Sequence, residues 1–144
     1  MTMCKCRIFA MVFLPFGAAA SASAEISLPR AFECQYTEGF SWNDASGVFI
    51  GSRDSGMPPL TFVIDSPTRG RMIGNVGVAD VAVIANASGL TLLEITGIGN
   101  MITTSIFYSP QRPSGSWTSV HSRHINMMFG NIFSQSIGEC KAKS

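Results

Sequence analysis

Cys34 and Cys140, one near each end of what remains after a leader is removed, are the strongest constraint on how this chain folds. The leader is read from Lys5 and Arg7, the apolar run Ile8 to Phe16, and a small-residue stretch closing on Ala22-Ser23-Ala24 before Glu25. That order is the pattern of a secretory signal peptide spanning 1–24, cut after Ala24. Cys4 and Cys6 depart with it, and export carries the remaining two thiols into an oxidising space, where a single pair has one connectivity. A Cys34–Cys140 disulfide is therefore expected, tying the start of the mature chain to its end.

Residues 25–144 suit one domain with one modest core. The apolar run is too short for a membrane span, and no cysteine follows it at a lipid-attachment position, so no membrane anchor is expected after cleavage. The mature part carries eight Lys and Arg against nine Asp and Glu, a formal charge of −1, where the whole chain has +1. Its only lysines are Lys141 and Lys143. Without a basic patch or a cationic amphipathic stretch, neither nucleic acid nor a membrane surface is an expected partner.

Past residue 30, short runs of β-branched, aromatic and other apolar residues are broken about every ten positions by Gly, Pro, Asn, Asp and Ser, the spacing of antiparallel strands. Phe32, Cys34 and Tyr36 alternate with Glu33, Gln35 and Thr37, placing the cysteine on the inner face. Further strands are expected at Val48-Phe49-Ile50, Leu60 to Ile64, Arg71 to Val76, Val78 to Ala85 and Leu90 to Thr96. Others are expected at Met101 to Tyr108, Trp117 to Ile125 and Ile132 to Cys140. Arg71 to Ala85 reads as one bent strand or two, and Pro58-Pro59 excludes a central strand at that point. The fold class is all-β. Joining the first strand to the last favours a closed barrel of about eight strands over a sandwich, because closure removes exposed edges.

Both histidines lie in Val120-His121-Ser122-Arg123-His124. On a strand, His121 and Arg123 share a face with Trp117 and Ser119, whereas Ser122 and His124 point the other way. His121 or His124 as a general base, with Glu94 or Asp80 as the orienting carboxylate, would make a hydrolase or lyase. A metal site is not expected, because zinc needs a third ligand and two histidines three apart suit a helix better than a strand. The structural reading pairs Arg123 with Glu94 or Asp80, since Glu94 shares an apolar strand face with Leu90, Leu92 and Thr96, where an unpaired charge is expensive. Arg123, Ser122, Trp117, Tyr108 and Trp42 are candidate binding residues. Tyr36, Phe40, Phe49 and Phe107 join the aromatics that could wall a ligand mouth, although such residues are more often core.

The other motifs carry no chemistry. Asp54-Ser55-Gly56 is similar to the nucleophile segment of chymotrypsin-like proteases, but Arg53 stands where a glycine belongs and both histidines follow the serine. Gly97-Ile98-Gly99 opens like a dinucleotide fingerprint, yet position 102 is Ile and a strand follows. It reads as a hairpin turn, as does Asn86-Ala87-Ser88 despite its glycosylation pattern. No cofactor is indicated.

The phrase from Val120 to His124, followed by Ser134-Gln135 and Gly138-x-Cys140, resembles a group of small secreted bacterial proteins with no assigned activity. The resemblance implies an exported, disulfide-containing protein. An exported barrel clasped by a disulfide is also similar in architecture to periplasmic inhibitors of lysozyme. The expectation is a periplasmic or secreted module that binds a protein or a small envelope ligand without catalysis. A hydrolase, a lysozyme-inhibitor-like protein and a structural envelope component are the alternatives.

Overall fold

The computed structural model describes residues 28–44, 48, 50–110, 116–128 and 130–143. The expected leader over 1–24 and Phe49 of the Val48-Phe49-Ile50 segment lie outside those residues. Nine strands follow one another: β1 (Ala31–Asn43), β2 (Ile50–Asp54), β3 (Met57–Ser66), β4 (Arg69–Gly74), β5 (Gly77–Asn86), β6 (Gly89–Ile95), β7 (Met101–Tyr108), β8 (Ser116–Met127) and β9 (Gly130–Lys143). From β3 to β9 each pairs antiparallel with its successor, β1 pairs with β3, and β9 returns to β1 along its whole length. Eight strands thus close a barrel, and β2 is an extra strand lying on the distal half of β1. The sandwich alternative is set aside.

Closure occurs where the cysteines fall. Cys34 and Cys140 are direct partners in the β1–β9 ladder and are disulfide-bonded, with Cα atoms 3.9 Å apart at a sequence separation of 106. Joining them constrains the unfolded chain by about 4–5 kcal/mol in the chain-entropy account. Gly138 adds to the same seam. It sits opposite Tyr36, and a Cβ there would lie 2.0 Å from the carbonyl oxygen of Gln35, so only glycine admits this approach of β9 to β1.

The interior changes character along the barrel axis. Toward the end that holds Ala31 and Lys143, which we call the lower end, Phe32, Phe62, Val83, Leu90, Ile106 and Trp117 pack around the disulfide. Phe32 meets Trp117 edge-on at 5.4 Å. Burial of such aromatic and aliphatic side chains contributes about 1.5–3 kcal/mol each before entropy is subtracted. One level higher, Tyr36, Ser119, Thr104 and His121 fill the cross-section with polar groups. Outward positions carry Glu33, Gln35, Asp65, Arg71, Asp80, Glu139 and Lys141. Ile84, Ile95, Phe107 and Ile137 also stand on the outer faces and are exposed.

Two local departures from the expected strands and one alternative left open by the sequence are settled by the pairing. Pro58 and Pro59 lie inside β3, opposite Gln35 where the β1–β3 register shifts, so the missing N–H groups fall on a bulge. The segment expected to break after Ile50 instead pairs as β2, its Ser52 hydroxyl 3.0 Å from that of Ser41. Arg71 to Ala85 is two strands, with Asn75-Val76 as the turn between Gly74 and Gly77.

Candidate functional site

The polar level of the barrel begins with a satisfied network. The Tyr36 hydroxyl and Ser119 Oγ share a hydrogen bond of 2.9 Å, and Thr104 Oγ1 shares one of 2.8 Å with His121 Nδ1. Burial, opposed by hydrogen bonds from Ser119 and Thr104, pushes the Tyr36 phenol up to about 12. Burial first, and the Arg123 charge second, push His121 down to about 4, so its imidazole is neutral at pH 7. Buried groups of this kind stay in place because each has a partner.

Above that network the barrel opens into a cavity of about 540 Å³. Met57 and Leu60 of β3, Met72 of β4, Val78 and Ala79 of β5 and Ile102 of β7 supply apolar walls, while Glu94, His121, Arg123 and Asn75 of the β4–β5 turn supply polar ones. The sequence brings them together by simple alternation. Glu94 lies two residues beyond Leu92 on the inner face of β6, and Arg123 two beyond His121 on β8. Glu94 pairs with Ile102, and Ile102 with Arg123, so one ladder row sets the two charges on either side of an isoleucine. Two strand spacings of about 4.8 Å put their backbones roughly 10 Å apart along the sheet.

No ion pair joins Arg123 to Glu94 or to Asp80, contrary to the structural pairing expected from the sequence. The reason is geometric. Asp80 faces outward opposite Arg71, and Glu94 is a full strand away across Ile102. The bidentate fork forms instead on the outer surface, where Arg71 Nε and Nη2 donate to Asp65 at 2.9 and 2.8 Å. Glu94 Oε2 is buried with no hydrogen-bond partner, alone in this among the side-chain atoms of the described residues.

The remaining candidates scatter. Trp117 belongs to the lower core, with Tyr108 against its edge at 5.3 Å near the opposite end from the cavity. Ser122 and His124 face outward, Ser122 accepting from Gln135 Nε2 at 3.3 Å and His124 meeting Phe133 edge-on. Trp42 misses the cavity because of a bulge. Between Tyr36 and Glu38 the β1–β9 register shifts by one residue, which turns Gly39 and Ser41 inward and leaves Phe40 and Trp42 outside. Their rings, 4.6 Å apart, lie over Gly51 of β2, with Trp42 40% exposed.

Sequence reasoning therefore found three of the cavity's polar groups, Glu94, His121 and Arg123, and missed the fourth, Asn75, together with the apolar walls. Aromatics are only the second reading for a wall there, after a core role that Tyr36 and Trp117 take, and methionine and aliphatic residues from β3, β4, β5 and β7 form it. Only the alternation signal on each strand pointed to them. Among the described residues no cluster of three or more His, Cys, Asp or Glu is placed to hold a metal ion. No family model, curated protein or solved structure matches the chain.

Proposed function

We propose that this chain is an exported, non-catalytic binding protein that takes a small ligand with an apolar body into the open upper end of its barrel. One observation carries the reading: a cavity of about 540 Å³, apolar over most of its wall, contains a buried carboxylate oxygen without a partner. Volume and lining fall in the range of small-molecule sites, and an eight-stranded barrel is just wide enough to hold one such ligand. The leader pattern and the disulfide across the seam support a periplasmic or secreted setting.

Catalysis by His121 has less support. Its Nδ1 is engaged by Thr104, its basicity is depressed far below neutrality, and no carboxylate is hydrogen-bonded to orient it. A neutral imidazole suits a wall that helps to define a ligand's position. The reading is tested with 1-anilinonaphthalene-8-sulfonate on the purified, oxidised protein. Saturable 1:1 fluorescence enhancement is expected, abolished in Ala79→Phe, where the new ring fills the cavity, while thermal unfolding of that variant stays close to the parent. No enhancement in the parent, or equal enhancement in the filled variant, contradicts it.

A further inference from the structure

Resting on the binding reading above, we infer that the ligand is a zwitterion on a hydrophobic skeleton, a hydrophobic α-amino acid being its smallest form, with its ammonium on Glu94 and its carboxylate on Arg123. Glu94 Oε2 is held away from water without a donor, which is unfavourable for an acceptor unless something arrives to donate to it. Arg123, at the rim of the same cavity, has no carboxylate paired to it among the described residues. Opposite charges in one cavity normally meet. Here Ile102 stands between them in the ladder and keeps them apart.

The ladder sets the Glu94 and Arg123 backbones roughly 10 Å apart on one face with both residues lining the same cavity, so an ammonium and a carboxylate carried on one carbon can each meet its own partner through a charge-assisted hydrogen bond. An anion alone would leave Glu94 unpartnered and place a second negative charge beside it. A cation alone would leave Arg123 unused. His121 adds no charge of its own to this balance. Below the head, Met57, Leu60, Met72 and Ile102 offer flexible thioethers and aliphatic surface to the ligand's side chain, a lining that adapts to more than one shape.

Displacement of 1-anilinonaphthalene-8-sulfonate by L-phenylalanine, N-acetyl-L-phenylalanine, L-phenylalaninamide and decanoate tests this. L-phenylalanine is expected to displace the dye about 10- to 100-fold more effectively than either blocked analogue, the factor set by losing one hydrogen bond to a charged group. In Glu94→Gln and Arg123→Gln that advantage is expected to vanish, with Glu94→Gln still binding the dye and folding as the parent does. N-acetyl-L-phenylalanine or decanoate competing as well as L-phenylalanine would overturn the inference in favour of a simple anion. L-phenylalaninamide competing as well would overturn it in favour of a simple cation. A dye that binds the parent while no amino acid displaces it leaves the binding reading standing and ends the zwitterion. A dye that does not bind, or that binds Ala79→Phe equally, removes both.

Discussion

The two ends of the barrel solve opposite problems with the same strands. At the lower end, Phe32, Phe62, Leu90, Ile106 and Trp117 surround the Cys34–Cys140 bridge, and the interior is dry and filled. At the upper end, the same inner faces of β6 and β8 continue into Glu94 and Arg123, and the interior is open. Between them, Tyr36, Ser119, Thr104 and His121 form a polar layer whose members bond to one another. A charge unpaired within the chain is tolerable at the upper end because the lower end supplies the stability. The difference teaches which residues are there for the fold and which are carried at its expense.

Breaking the lower end should have the largest effect. Replacing both cysteines with alanine is expected to lower the unfolding free energy by about 4–5 kcal/mol, measured by urea denaturation against the oxidised parent. A loss below about 1 kcal/mol would mean that the β1–β9 ladder holds the seam without the covalent link.

The polar layer gives the next effect, through pH. His121 titrates at about 4 in the folded protein against 6.5 as its ordinary value, so the unfolded chain takes up the proton first. Stability is therefore complete above pH 6.5 and falls as the pH drops toward 4, by about 3 kcal/mol in all. Thr104, Tyr36 and Arg123 are the groups against this ring, and Glu94 lines the same cavity. Three carboxylates are lowered by their partners, Asp65 beside Arg71, Asp44 beside Asn131 and Glu33 beside Lys143; what each contributes is lost as the pH falls below its ordinary value, 3.8 for the two aspartates and 4.5 for Glu33, so only exposed Glu33 overlaps the lower edge of the window, and it does so equally in parent and variant. Urea midpoints taken from pH 7 to pH 4 should show the slope in the parent and lose it in His121→Gln. A flat profile in the parent would show that the imidazole is solvated rather than buried.

The fold was legible in the sequence wherever alternation ran undisturbed. Phe32-Cys34-Tyr36 on β1 and Trp117-Ser119-His121 on β8 point inward as the period of two requires, and the cysteine pair identified the two strands that close the barrel. Legibility failed where one inserted residue changed the phase. The bulge after Tyr36 reverses the facing of Phe40 and Trp42, and its one sign in the sequence is Gly39 inside a strand pattern, which marks a bulge without fixing where the phase changes. The Pro58-Pro59 pair was read as a break, whereas its bulge lets β3 begin earlier. For the site, Glu94, His121 and Arg123 were visible as polar residues on apolar faces. Their spacing was not, because whether Glu94 meets Arg123 depends on the register of β6, β7 and β8, which pairing fixes and sequence spacing does not.

The central claim is that Glu94 is kept for a ligand and contributes little to the fold. The direct test is the unfolding free energy of Glu94→Leu, with Phe62→Ala from the lower core as its reference. Phe62→Ala is expected to lose about 3–5 kcal/mol as a fully buried ring is removed. Glu94→Leu should be as stable as the parent or more stable, because an unpartnered buried oxygen is replaced by apolar volume, and it should no longer distinguish L-phenylalanine from its blocked analogues. A loss above about 2 kcal/mol in Glu94→Leu would show instead that this carboxylate belongs to the structure, and would contradict the division of the barrel into a structural end and a binding end.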